Sequence, residues 1–261
     1  MKTVYSASVC INACDRPGML WKLMNSLANQ SSFDFELVVV DDGTRDSRDD
    51  ERIGRAINIL ATVGVPVNYV KNSTQIGLTK SRNIAKDVAR SEIIIKLDDD
   101  HYCDSDFVGQ LISSFAGRPK AGCVGSLFPL LRDGINVPEH CPTRFGVLGE
   151  KWENQQLNLY AADSPTVVPA DTVRGIMAYR KVPDIRHDER LSKISHREDT
   201  IFSIEYLKRG YCNFVNTRAI AYHLYAKNGG CRSFGAEDAA KQRASDERIY
   251  QAFLEANPIV H

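Results

Sequence analysis

Short apolar runs alternate with amphipathic stretches through the first half of the chain. Val4–Asn12 holds Ala7-Ser8-Val9-Cys10-Ile11, a buried strand. Pro17 follows and, with Asp15, opens a helix that carries Leu20, Leu23, Met24 and Leu27 on one stripe. Phe35–Val40 is a second apolar run, closed by Asp41-Asp42-Gly43, and a helix with Ile53, Ile57 and Leu60 on one face comes next. Val65–Val70 reads as a third strand. Gly77 precedes a helix with Ile84, Ala85, Val88 and Ala89, and Ile93–Leu97 is a fourth strand running into Asp98-Asp99-Asp100. Asp104 is placed to cap a helix with Phe107, Leu111 and Phe115, which Gly117 ends, and Ala121–Phe128 is another strand. Strands apolar on both faces, separated by amphipathic helices, predict an open, mostly parallel sheet covered on both sides. Ligands bind such sheets beyond the carboxyl ends of the strands. Two of the four strands end there in aspartates.

The second half is less regular. Leu130–Pro165 reads as a long, partly irregular connection. Thr172–Tyr179 predicts a strand, Arg197–Arg209 a helix closed by Gly210, Cys212–Val215 and Ala219–Leu224 two short strands, and Gly235–Asn257 a helix that stops before Pro258. Nothing marks a linker or an internal repeat, so the expectation is one α/β domain over residues 1–261.

Composition narrows the function classes. The 261 residues carry 33 Lys+Arg against 33 Asp+Glu, so no basic excess exists to hold a nucleic acid. No apolar run approaches the roughly 18 residues of a membrane span, and the first residues do not read as a signal peptide. The 7 cysteines are scattered without Cys-x-x-Cys spacing, which argues against a zinc site or a disulfide framework. Reduced thiols in a cytoplasmic protein are the expectation.

The candidate chemistry lies in five clusters. Three adjacent carboxylates, Asp98-Asp99-Asp100, repel one another unless a divalent cation sits among them, and hard oxygen ligands suit Mg²⁺ or Mn²⁺. An acidic turn leading into the next helix would read the same way. Asp41-Asp42 can accept from a base or a ribose, or can serve as an ordinary strand-to-helix turn. Lys80 and Arg82 sit at a helix start, where cations oppose the helix dipole and gain from a nearby anion. Ser195 and Glu198 have the spacing of a capping box, which leaves Asp199 over as a candidate general base. His223 follows a short strand, where a structural histidine is the commoner case.

In this order the clusters resemble the inverting family 2 glycosyltransferases of GT-A fold. The matching stretches are Ala7–Pro17, Leu37–Thr44, Gly77–Asn83 with Ala85, Ile93–Asp100, Gly175–Lys181, Asp188–Leu191, Glu198-Asp199 with Gly210-Tyr211, and His223. The resemblance implies a nucleotide-sugar half over about residues 1–128 and an acceptor half over about 129–261. It implies that Asp42, with Asp15, Lys80, Asn83, Asp98 and Asp99 nearby, binds the nucleotide sugar and that Arg82 approaches the diphosphate. It places Mn²⁺ or Mg²⁺ on Asp98, Asp100 and His223, and the base within the Glu198-Asp199 pair, on Asp199. The implied partners are a nucleotide-sugar donor, most commonly UDP-linked, and an unidentified acceptor. Cys14 departs from the aromatic residue usual in the family. The Gln-x-x-Arg-Trp motif of processive synthases is absent, which favours single addition. A nucleotidyltransferase that forms sugar nucleotides and a non-catalytic binding module are the alternatives. The first lacks a glycine-rich loop between Asn12 and Pro17, and the second does not explain the intact acidic set.

Overall fold

The computed structural model describes residues 5–132, 135–136, 143–144, 156–157, 167–224, 226, 229–230 and 236–257. Four strands, β1 (Ala7–Ala13), β2 (Phe35–Asp41), β3 (Val67–Lys71) and β4 (Ile93–Asp98), pair in parallel in the order β4-β1-β2-β3. The same sheet continues beyond β4 through β12 (Met177–Arg180), β6 (Ala121–Leu127), β13 (Cys212–His223) and β11 (Val167–Ala170). In that extension β12 and β11 run antiparallel to their neighbours, while β13 and β6 are parallel. A short β5 (His101–Cys103) pairs with the far end of β13 and sets His101 opposite His223. The sheet is thus mostly parallel, as the apolar runs predict.

Alternation along β1 decides what each face buries. Ala7, Val9 and Ile11 pack with Leu20, Leu23, Met24 and Leu27 of α1 (Pro17–Ala28) and Ile53 and Leu60 of α2 (Glu51–Thr62). Cys10 faces the other way, with Val38, Val40, Ala85 of α3 (Leu78–Val88) and Phe202 and Tyr206 of α5 (Glu198–Lys208). The last helix, α6 (Ala236–Ala256), packs Tyr250 and Phe253 against Ile201 and Ile204 of α5. None of the described helices is long and apolar enough to cross a membrane.

Four local expectations fail for tertiary reasons. Asp15 does not cap α1: its backbone turns to φ +53°, and its carboxylate accepts from the Thr44 backbone N–H at 2.7 Å. Asp104 does not cap α4 (Phe107–Ser113) with its side chain; its carbonyl accepts from Phe107 N–H at 3.1 Å. Of Thr172–Tyr179 only the end is strand. Val173 lies over Gly125, where an added Cβ would come within 2.7 Å of it, and the chain turns at Gly175 with φ +69°. The two strands expected in Cys212–Leu224 are one, with a register shift between Val215 and Ile220. The Asn216 side chain accepts from Arg218 N–H at 2.8 Å inside that irregularity. The connection expected over Leu130–Pro165 lies largely outside the described residues.

Candidate active site

The carboxyl ends of β1, β2 and β4 lie side by side, with Asn12 opposite Asp98 and Ala13 opposite Asp41. Above them opens a cavity of ≈ 520 Å³. Its walls include Asn12, Cys14, Arg16 and Asp42, then Ser81 and Arg82 from α3, Asp98 from the end of β4 and Asp100 from the turn after it. The second half contributes Ser195, Arg197, Glu198 and Asp199 from the start of α5, His223 from β13 and Arg243 from α6. Residues far apart in the chain therefore meet in one place. Asn12 lies 7% exposed in this wall, and neither atom of its carboxamide has a hydrogen-bond partner among the described residues.

The end of β4 is met by distant partners. Asp98 accepts from Arg82 at 2.8 Å. Burial raises its proton affinity, but Arg82, His101 and Lys96 outweigh this and hold its pKa at about 2. Arg16 forks between Asp99 and Asp100, reaching Asp100 at 2.7 Å. Burial drives Asp99 up to about 7 against the pull of Arg16. For Asp100 burial also raises the pKa, yet the His223 hydrogen bond, His101 and Arg16 carry it well below the ordinary range. His223 Nε2 lies 3.3 Å from Asp100, and the His101 ring stacks on His223 with centroids 5.0 Å apart. Asp100, His101 and His223 each offer one ligand atom, all within 4.8 Å of one another. One carboxylate and two imidazoles form a donor set that fits Mn²⁺ better than the all-oxygen preference of Mg²⁺.

The start of α5 is equally dependent on distant partners. Ser195 does not form a capping box. Its backbone lies at φ +54°, its hydroxyl donates to the Ser192 carbonyl at 2.9 Å, and Arg197 precedes the helix at φ +71° without a side-chain cap. Glu198 instead turns inward. It pairs with Arg82 and with Lys96 at 3.0 Å, and its second oxygen lies 2.9 Å from His187 Nδ1. Burial pushes the His187 imidazole well below its ordinary range, and Arg82 adds to the effect. Asp199 keeps 20% of its side chain exposed. Its Oδ1 meets Lys96 and Arg82, the latter at 3.2 Å, and its Oδ2 accepts from Gly175 N–H at 2.8 Å. Burial and then Arg82 push the Lys96 ammonium well below its ordinary range. The Asp98 carboxylate acts the other way.

Of the residues singled out from sequence, Asp42, Arg82, Asp98, Asp100, Glu198, Asp199 and His223 share the cavity. Four others do not line it. Lys80 is exposed. Asn83 is buried and ties its amide to the His187 backbone at 3.0 and 2.9 Å. Asp15 holds Thr44, and Asp99 lies beneath the surface on Arg16 and Cys14 N–H. Asp42 lines the wall, but its oxygens accept from Asn72, Ile76 N–H and Gly77 N–H at 2.8–2.9 Å, which fixes the approach to α3. Sequence reasoning missed Arg16, Lys96, His101 and His187. A lysine inside the apolar run Ile93–Leu97 was the available signal, since a buried ammonium demands an anion.

A mostly parallel sheet with this cavity over its strand ends is the GT-A arrangement of glycosyltransferases. The solved structures that share it include GalNAc-T7 with UDP, GalNAc and Mn²⁺, at TM-score 0.71 and 15% identity, over 97% of this chain and 48% of that one. S. aureus TarS 1-349 with UDP-GlcNAc follows at 0.66 and 18%, over 97% and 68%. The mannosyltransferase PcManGT from Pyrobaculum calidifontis with GDP-Man and Mn²⁺ matches at 0.64 and 15%, over 99% and 66%. The sequence profile named Glycosyl transferase family 2 matches residues 8–158, and the chain belongs to that family. A curated relative from Haemophilus influenzae, described as an uncharacterized glycosyltransferase, is 26% identical over 93 residues. That match spans 36% of this chain and 29% of the relative.

Proposed function

We propose that the chain transfers a single sugar from a nucleotide-sugar donor to an acceptor hydroxyl, with inversion at the anomeric carbon and with a bound divalent cation. The observation that carries this reading is the Arg82 bridge. Its guanidinium joins Asp98 on the nucleotide side to Glu198 and Asp199 on the other, within one cavity. The cavity volume falls within the span common for small-molecule sites. Its Asn12 carboxamide, without a hydrogen-bond partner among the described residues, supports a polar ligand there.

Each group has a task in that reaction. Asp199, the more exposed carboxylate of its pair, takes the proton of the attacking hydroxyl as the new C–O bond forms. Glu198, buried, anchors Arg82. Arg82 lies beside the departing diphosphate and stabilises charge as it develops. Asp100, His101 and His223 would hold the cation, with Asp98 on the diphosphate side. The chemistry such an ion supplies is neutralisation of the leaving diphosphate. Mn²⁺ is favoured by the donor set and by its presence in the GalNAc-T7 and PcManGT structures. UDP and GDP are the nucleotides to try first, because those neighbours and TarS carry them.

Isothermal titration of UDP and of GDP, with and without Mn²⁺, tests the reading. The expected outcome is nucleotide binding that needs Mn²⁺ in the wild type and is lost in Asp100→Ala. Binding indifferent to both the metal and Asp100 would remove it.

A further inference from the structure

We propose that Lys96 is the positioning residue of Asp199: from inside the sheet it grips one oxygen of that carboxylate and fixes the direction in which the base faces the cavity. Its role for a base rests on the sugar-transfer reading, whereas the grip itself is structural.

Lys96 stands in the middle of the sheet, opposite Cys10 of β1 and Met177 of β12. Its neighbours along β4 are Ile94, Ile95 and Leu97, and its own side chain is 3% exposed. An ammonium in such a place is tolerated only where anions reach it. Glu198 Oε1 comes within 3.0 Å, and Asp199 Oδ1 makes a close contact. Both carboxylates stand in the first turn of α5, a helix start without a side-chain cap. Distant partners therefore hold that turn in place of a local cap. The grip on Asp199 is two-sided. Lys96 takes Oδ1 from below, and Gly175 N–H takes Oδ2 at 2.8 Å from the bend before β12. Two contacts on opposite oxygens fix the carboxylate plane, which a single contact leaves free to turn. Arg82 approaches the same Oδ1 at 3.2 Å but is shared with Asp98 and Glu198. Lys96 acts on Asp98 through charge alone, and its ion pairs among the described residues are with Glu198 and Asp199, so its substitution should disturb the base before it disturbs the nucleotide side.

The Gly175 amide reports on the grip without any substrate. In ¹⁵N-labelled protein its resonance should move in Asp199→Asn. Lys96→Met should move it in the same direction, and Lys96→Arg, which keeps the charge and most of the reach, should leave it near the wild-type position. Should Lys96→Met fail to unfold cooperatively, Lys96→Gln takes its place. A Gly175 resonance unmoved in the Lys96 variant, or unmoved in Asp199→Asn, overturns the proposal. With a nucleotide sugar that the wild type hydrolyses, Lys96→Met should lower kcat roughly tenfold or more while donor KM stays within about twofold, and Lys96→Arg should recover most of the rate. A moved Gly175 with unchanged kcat also overturns it. If the wild type hydrolyses no nucleotide sugar, the sugar-transfer reading fails, and the Gly175 shifts alone still decide whether Lys96 holds Asp199.

Discussion

Asp41-Asp42 at the end of β2 and Asp98-Asp99-Asp100 at the end of β4 flank the same strand, and their side chains meet opposite kinds of partner. The β2 pair is satisfied largely by backbone N–H groups. Asp41 accepts from Gly43 N–H at 2.8 Å and Ser47 N–H at 2.7 Å, and Tyr69 donates its hydroxyl at 2.6 Å. Asp42 accepts from Ile76 and Gly77 N–H groups and from Asn72. The β4 triplet is met instead by Arg16, Arg82, His101 and His223. Carboxylates that accept from backbone shape a loop. Carboxylates held by cations and imidazoles keep oxygens that a metal ion can compete for, and their arginine partners are ones that a diphosphate can compete for. The same contrast recurs in the second half, where Glu198 is enclosed and Asp199 partly open.

The largest expected effect separates the two strand ends by stability. Asp41→Ala orphans three donors and should cost about 3 kcal/mol or more in urea unfolding. Asp100→Ala removes a buried carboxylate held by Arg16 and His223 but leaves Arg16 on Asp99, and should cost less than Asp41→Ala, about 1–2 kcal/mol. Equal losses would erase the distinction between a loop-building and a ligand-holding end.

Metal affinity should separate them in the other direction. Asp100→Ala and His101→Ala should each weaken Mn²⁺ binding roughly 10- to 100-fold or more, measured by titration, while Asp42→Asn leaves it nearly unchanged. The His101 variant is the sharper of the two, because that histidine was not among the sequence candidates.

Within α5, Glu198→Gln should lower stability by about 1–3 kcal/mol, because Glu198 is buried among Arg82, Lys96 and His187 rather than forming a cap. Ser195→Ala should then cost little. Thermal unfolding of both variants distinguishes a charge network from a capping box, which would make the Ser195 loss comparable.

The remaining contrast concerns pH. The folded Asp99 carboxyl is raised to about 7, above its unfolded value. Its contribution to stability is therefore full below the ordinary carboxylate range and is lost as pH rises through about 7. Over that window the Tm of Asp99→Asn should gain on the wild type. A difference in Tm that stays constant with pH would place the proton elsewhere.

The β1–β4 core was legible because buried parallel strands are continuous apolar runs, and their order of helices follows from periodicity. The acidic strand ends were legible for the same reason. What stayed hidden depends on long-range pairing. His101 reaches the site only because β5 lies on β13, and Arg16 only because the turn at Asp15 swings it beneath Asp99 and Asp100. Ser195 and Glu198 had the right spacing for a cap, but Arg82 and Lys96 outcompete the Ser195 backbone N–H for the Glu198 carboxylate. Local spacing describes what a residue can do for its own helix, and a buried charge from another element overrides it.

The most direct test of one shared site for donor and base is release of UDP or GDP from a panel of nucleotide sugars by purified protein. The comparison is made with Mn²⁺ or with chelator, for wild type and Asp199→Asn. At least one donor should be hydrolysed slowly by the wild type with Mn²⁺, not with chelator, and roughly 100-fold more slowly by Asp199→Asn. No release from any donor, or equal rates in the wild type and Asp199→Asn, would contradict it.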